Sequence, residues 1–408
     1  MSLNNQFENT KHKDRNDPWT KRFDFFAVAT WLMLSVWLTG ISLILYGMDF
    51  RGYYAAAQAL IAGGNPYDYH QVAPLLLKIT GEMGNNPYYY PPWFAWFFIP
   101  LTALPFQIAR VVWLTFNLMI WNLGLWNLRE IFHWPIKGWR LYLLYSLATF
   151  SFAWITWRYE QAGILIFVIL IIMIKSIQNQ QWTWAGFWMA LSLIKPNITL
   201  IVMIGLSLWL IRQRQWRPVL TALVWLVVLL AISTWITPNW YEPIFEKGFG
   251  QGLTVALDGP DKVVALRINT TMMDWLTTLG VSSQLRLPIY GIASAVGIIL
   301  LFLTAWYSQS LLQVISLSLL ISFAITPYAM QYDNPALIIV VFWALYLCSL
   351  SANGIRVGIL LTGFIFSVIF WQQNISWAYW MIVGSIALVV WALVVDKRSS
   401  ELKVEKSI

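Results

Sequence analysis

The feature that most constrains this chain is a series of apolar runs, each near the length of a membrane crossing, repeated from residue 25 almost to the end. About twenty apolar residues span a bilayer as a helix. Lipid offers no hydrogen-bond partner to an open peptide group, so such a run satisfies its backbone only by closing into a helix. With 59% hydrophobic and 11% charged residues, a soluble domain of 408 residues would carry an apolar surface. The expectation is an all-α polytopic membrane protein. Twenty-seven tryptophans and eighteen tyrosines suit two interfacial belts. The single cysteine, Cys348, lies inside an apolar run and reads as a small buried hydrophobe. It excludes a disulfide framework and any cysteine-built metal site.

The runs place helices near 25–46, 92–128, 139–157, 161–176, 183–194, 197–211, 218–236, 287–307, 310–326, 335–350, 356–371 and 376–395. The first is too long for a signal-peptide core and has no small-residue cleavage site, so it is read as a retained helix. Lys/Arg clusters at 11–22, Arg129/Lys137/Arg140, Arg212/Arg214/Arg217, Arg356 and Lys397/Arg398 mark the cytoplasmic side. Alternating crossings satisfy them with twelve spans and both termini inside. The net charge of +8 then serves orientation and needs no nucleic-acid partner. Two segments break the pattern. Leu104-Pro105 interrupts 92–128, which makes 92–103 a broken or re-entrant piece. Lys195-Pro196-Asn197 interrupts 183–211 and predicts two short helices meeting at a buried polar turn. The organisation expected is a cytoplasmic tail over 1–24, one transmembrane domain over 25–395 and a cytoplasmic tail over 396–408. Two long external loops, 47–91 and about 237–286, carry most of the acidic residues outside the tails.

Asp49, Arg51, Tyr53 and Tyr54 stand where the first helix leaves the bilayer, followed by a short amphipathic stretch and the Gly64-Asn65-Pro66-Tyr67 turn. As structural elements, Asp49 would cap the next helix and pair with Arg51, and the tyrosines would anchor at the interface. As functional groups, the carboxylate is a general base for a hydroxyl, and the rings of Tyr53, Tyr54 and Tyr67 are a surface on which sugars stack. Tyr90, in Pro87-Tyr88-Tyr89-Tyr90-Pro91-Pro92, is either a belt residue or part of that surface. In Arg158-Tyr159-Glu160-Gln161, Glu160 either neutralises Arg158 or belongs to a site. Lys195, deep in an apolar block, needs a charge partner, either a phosphate or an acid such as Glu160. Arg267, followed by Asn269, has the forked geometry that phosphates favour. Tyr328, Tyr332 and Asp333 close the outer side of two later spans, where Asp333 is also placed to cap a helix. No Asp-x-Asp motif and no Gly-rich nucleotide loop occurs in the sequence. The three histidines, His12, His70 and His133, have no ligand spacing. No metal or cofactor is expected.

Taken in order, Asp49-x-x-x-Tyr53-Tyr54, Gly64-Asn65-Pro66-Tyr67, Tyr90-Pro91-Pro92, Pro100-Leu101, Leu104-Pro105, Gln161, Gly186, Lys195-Pro196, Thr237-Pro238-x-Trp240, Arg267-x-Asn269 and Tyr332-Asp333 resemble the polyprenol-phosphate-mannose-dependent α-mannosyltransferases. These form glycosyltransferase family 87 of the GT-C class. The resemblance implies a bundle of about twelve spans whose external loops carry short amphipathic helices. It implies an enzyme of the plasma (inner) membrane, active on the outer face, that serves cell-envelope glycan or glycolipid assembly. A sugar, mannose favoured over other hexoses or a pentose, would pass from a polyprenyl-phosphate donor to a hydroxyl of a lipid, glycan or protein acceptor.

Within that resemblance Asp49 is the base, and Lys195, Arg267 and Arg158 bind the donor phosphate. Arg51, Tyr53, Tyr54, Asn65, Tyr67, Tyr90, Gln161, Asn197, Asn269, Tyr328, Tyr332 and Asp333 bind sugar or acceptor. Two positions depart from the family pattern. Glu160-Gln161-Ala162-Gly163 stands for Gly-Gln-x-Asn, and Thr326-Pro327-Tyr328 stands for Ser-Pro-His. Three other classes fit parts of the sequence. A transporter would share the broken helices, but no inverted repeat relates the halves. A lipid-linked glycan polymerase or ligase would place its charged loop late in the chain. A membrane acyltransferase would need a histidine at depth.

Overall fold

The computed structural model describes residues 49–81, 88–132, 139–243, 270–370 and 379–405. Every regular element among them is helical. The expected first span at 25–46 lies outside the described residues. The structure opens on two short helices, α1 (Phe50–Ile61) and α2 (Tyr69–Thr80), in the region predicted as the first loop. Asp68 starts α2 by accepting a bond from the His70 amide at 2.9 Å. Gly81, at φ +75°, ends it in the left-handed conformation that costs glycine little.

Pro91 leads into the five-residue α3 (Pro92–Trp96) and then a 3-10 turn, Ile99–Ala103. Leu104 is extended at φ −100°, ψ 150°, as the residue before a proline prefers, and Pro105 begins the long α4 (Phe106–Ile131). The break predicted at Leu104-Pro105 is present. The helix expected at 139–157 is instead two pieces, α5 (Trp139–Thr149) and α6 (Ser151–Arg158), divided at Phe150. Next come α7 (Gly163–Gln178), α8 (Trp182–Ser192), α9 (Pro196–Arg212) and α10 (Arg217–Ile236).

Helices α8 and α9 meet at Lys195, as the Lys-Pro-Asn interruption predicts. The residue before Pro196 cannot continue a helix easily, and Pro196 at the first helical position loses no bond. The Thr199 hydroxyl donates to the Ser192 carbonyl at 2.8 Å and the Lys195 carbonyl at 3.0 Å, filling acceptors that the break would leave open.

The C-terminal half contains α11 (Met272–Thr278), α12 (Ser283–Tyr307), α13 (Leu311–Ile325), a 3-10 turn over Gln331–Ala336, α14 (Leu337–Cys348), α15 (Ala352–Phe370) and α16 (Trp380–Glu405). The last helix runs ten residues beyond the apolar stretch, so part of the expected tail is helical. Five stretches among the described residues are long and apolar enough to cross a membrane: α4, α10, α12, Gln331–Cys348 and Trp380–Lys397. Shorter apolar helices accompany them at Gly163–Gln178, Pro196–Arg212, Leu311–Ile325 and Asn353–Val368. This is a multi-pass membrane protein.

Burial divides these helices into two kinds. Of the most apolar window, 83% is buried in Gln331–Cys348 but only 6% in α10 and 17% in α12. Val227 on α10 and Ile292 on α12 stand exposed on their outward faces. A helix apolar on its outward face is stable where lipid is the solvent. The core lies instead around α1, α3, α4, α7 and α14, with Trp113, Trp121, Phe94, Phe98 and Phe167 fully buried.

Candidate active site

The site is assembled at three breaks in the helical bundle. The first is the start of α1. Asp49 occupies its N-cap position, yet its side chain caps no backbone amide. The carboxylate Oδ2 instead accepts from the Gln161 side-chain nitrogen, 112 residues away. Tyr53, one helical turn after Asp49, points the same way. Its hydroxyl donates to Gln161 Oε1 at 2.9 Å and lies 3.1 Å from the Tyr90 hydroxyl, and Tyr90 itself donates to Gln161 Oε1. Burial raises the pKa of both hydroxyls well above the usual tyrosine range, and nearby Asp49 adds to it. They are therefore donors at any working pH.

The second break, between α6 and α7, delivers Gln161. The Gln161 amide bonds to the Thr156 carbonyl at 2.9 Å and the Glu160 amide to the Trp157 carbonyl at 3.0 Å. This is a Schellman ending, whose left-handed residue is usually glycine. Here it is Glu160, at φ +60°. The conformation is costly for a side-chain-bearing residue, by about 1–2 kcal/mol. Two partners hold it. The Arg110 guanidinium from α4 meets the Glu160 carboxylate at 2.5 Å, and the Trp113 indole donates to the Glu160 carbonyl at 2.9 Å. Burial pushes the Glu160 carboxyl up to about 7, with Arg110 opposing that rise. Of the two readings offered for Glu160, pairing with Arg158 is not formed; its partner is Arg110, and Arg158 is exposed.

The third break is Lys195, between α8 and α9. Its ammonium, on a residue only 5% exposed, pairs with Asp333. Of the two partners considered from sequence, an acid is the one observed, but it is Asp333 rather than Glu160. Lys195 also lies 4.5 Å from the centre of the Tyr332 ring and donates to Gln161 Oε1 at 3.4 Å. The second Asp333 oxygen accepts from the Met330 amide at 2.9 Å, which starts the 3-10 turn. That turn is fastened to α6 and α7. Thr156 donates to the Tyr332 carbonyl at 2.7 Å, and a Cβ on Gly163 would stand 2.1 Å from the same oxygen. Glycine alone permits this approach.

Other candidates from the sequence make hydrogen bonds of their own around the site. Tyr54 donates to the Leu104 carbonyl at 2.8 Å and Tyr67 to the Tyr90 carbonyl at 2.6 Å. Asn65 accepts from the Tyr67 amide at 2.9 Å. Asn197 donates to the Tyr328 carbonyl at 3.0 Å, and the Tyr328 and Tyr332 hydroxyls stand 3.4 Å apart. Arg51 is partly buried, and its Nε has no hydrogen-bond partner. Arg267 and Asn269 lie outside the described residues, as do His12 and His133. Among the described residues, no three of His, Cys, Asp and Glu gather as metal ligands would.

Sequence reasoning passed over Arg110, Trp113 and Thr156. A signal was present for the first: Arg110 is the one charge in the first five turns of α4. An ionisable residue in such a helix needs a partner.

The site thus brings the Asp49 carboxylate, the Gln161 amide, the edge-to-face phenols of Tyr53 and Tyr90 and the Lys195–Asp333 pair into one hydrogen-bonded cluster among membrane helices. The family model for glycosyltransferase family 87 matches residues 88–350, well over half of the chain. The match contains Tyr90, Gln161, Lys195, Tyr328, Tyr332 and Asp333 and begins downstream of Asp49. No curated protein matches the sequence. The chain belongs to glycosyltransferase family 87 and is a membrane glycosyltransferase.

Proposed function

We propose that the enzyme transfers a hexose, mannose favoured, from a polyprenyl-phosphate donor to an acceptor hydroxyl on the outer face of the plasma membrane. Asp49 is the base. It takes the proton of the acceptor hydroxyl while that oxygen attacks the anomeric carbon from the side opposite the phosphate. The new glycosidic bond forms as the bond to the phosphate oxygen breaks, and the polyprenyl phosphate leaves with the bonding pair. A β-linked donor then gives an α-linked product. One carboxylate suffices, because a phosphate leaving group needs its charge stabilised more than it needs a proton.

The observation that carries this reading is the placement of Asp49. It sits at a helix start without capping it, bonded instead to an amide set among phenols. Tyr53, Tyr90, Tyr328 and Tyr332 supply the aromatic faces and hydroxyls on which a sugar ring would rest. With Lys195 already neutralised by Asp333, Arg51 and Arg267 are the better cations for the donor phosphate. The guanidinium fork suits two phosphate oxygens. Exposed apolar faces such as those of α10 and α12 suit a prenyl chain running into lipid.

The test is transfer of labelled sugar from a panel of polyprenyl-phosphate sugars by purified protein in lipid. Asp49→Asn should lose about 10²–10⁴-fold in rate with donor binding retained. Wild-type rates in Asp49→Asn, or no binding of any donor by the native enzyme, would defeat the reading.

A further inference from the structure

Gln161 touches more of this site than any catalytic role requires. A carboxamide has two chemically different ends that a side chain can exchange by turning over. Here the surroundings decide between them. Oε1 faces the Lys195 ammonium and the hydroxyls of Tyr53 and Tyr90, while Nε2 faces the Asp49 carboxylate. Turning the amide over would set its oxygen against a carboxylate and its NH2 against an ammonium and two hydroxyls with protons to give. Both ends would then be repelled. The charges alternate along a chain of contacts, from Asp333 through Lys195 and the amide dipole to Asp49.

The backbone adds a second constraint. Gln161 follows the left-handed Glu160, held by Arg110 and Trp113, so its Cα has little freedom to move. The Gln161 residue is 5% exposed.

We propose that Gln161 is the positioning residue for Asp49: its amide, fixed in one orientation by Lys195, Tyr53 and Tyr90, holds the Asp49 carboxylate ionised and in place. The proposal rests on the reading of Asp49 as the base. It gives the Lys195–Asp333 pair a task distinct from phosphate binding, which is to polarise the amide that steadies the base. Among the described residues, the charged and titratable groups around Asp49 and the amide include Lys195 and Asp333 beyond it, Glu160 in the preceding turn, and the phenols of Tyr53, Tyr90, Tyr328 and Tyr332, with Arg51 two residues along the chain from Asp49.

The experiment measures the proton affinity of Asp49 directly. Purified protein in lipid nanodiscs is treated across pH with a carbodiimide, which modifies protonated carboxyls, and the Asp49 peptide is quantified by mass spectrometry. Native protein, Gln161→Glu and Gln161→Met are compared, and labelled-sugar transfer is recorded on the same samples. Glutamate has the shape of glutamine but sets a second carboxyl against Asp49, so the pair must share a proton. The Asp49 labelling midpoint should rise by about one pH unit or more in Gln161→Glu. It should rise less in Gln161→Met, which only removes the donor.

The acidic limb of the transfer–pH profile should move with the Gln161→Glu midpoint, while donor KM stays within about twofold and kcat falls about tenfold or more. If Gln161→Met fails to fold, Gln161→Leu, which equally lacks the donor, takes its place, because the rise in Gln161→Glu reports only that position 161 adjoins Asp49. An unchanged midpoint in a folded donor-less variant overturns the proposal, whatever happens to the rate. A raised midpoint in a native enzyme that transfers no sugar from any donor upholds the amide–carboxylate coupling and removes the reading of Asp49 as a glycosyl-transfer base.

Discussion

Adding one methyl group at Gly163 should damage both the fold and the site. A Cβ there would lie 2.1 Å from the Tyr332 carbonyl oxygen and 3.0 Å from the Thr156 methyl. Ordinary contact begins at 3.4 Å, so the start of α7 and the 331–336 turn must part by about 1.3 Å, the difference between 3.4 and 2.1. The obstacle is backbone and cannot rotate aside. Overpacking of this kind costs roughly 1–3 kcal/mol. Parting the two segments also stretches the 2.7 Å Thr156–Tyr332 hydrogen bond, worth about 1 kcal/mol. Against this, alanine favours a helix over glycine by about 0.5–1 kcal/mol.

The net expectation for Gly163→Ala is a loss of about 1–3.5 kcal/mol. The displaced turn carries Asp333, the partner of Lys195, and α7 begins two residues after Gln161, so sugar transfer should fall with stability. Gly291→Ala, inside α12 with nothing within 4 Å of its new methyl, is the control and should be neutral or slightly stabilising. Thermal unfolding midpoints in one detergent, with transfer rates on the same samples, make the comparison. Gly163→Ala with native stability and activity would refute this packing of α7 against the turn.

Two further perturbations probe the buried charges. Lys195→Met leaves Asp333, itself 2% exposed, without its cation and should cost about 3–5 kcal/mol, whereas Lys195→Met/Asp333→Asn should recover most of that in the same unfolding assay. Glu160 has a folded-state pKa raised from 4.5 to about 7, so the native protein holds a proton there that the unfolded chain has released. That contribution to stability is complete below about pH 4.5 and is lost as pH rises through about 7. The unfolding midpoint should therefore fall from pH 5.5 to 7.5 in the native protein, and this slope should flatten in Glu160→Gln.

What the sequence determined by itself is the class of solution. Apolar runs of membrane length admit only helices, and the interruptions at Leu104-Pro105 and Lys195-Pro196 fall where proline denies the chain a regular bond. Local rules of this kind act over four or five residues and survive any tertiary arrangement. The identity of the polar residues worth watching was legible for the same reason, since a carboxylate or lysine among apolar helices must be matched. Their partners were not legible. Lys195 finds Asp333 across 138 residues, Asp49 finds Gln161 across 112, and Glu160 takes Arg110 on α4 rather than Arg158 two residues before it. The Asp49 side chain leaves its own helix uncapped to reach that amide. A side chain pairs with what packing brings within about three ångströms, and helix packing in a bundle is set by small-residue contacts such as Gly163 on Tyr332. Only the tertiary structure decided which helices touch, and with that, which charges could be buried together.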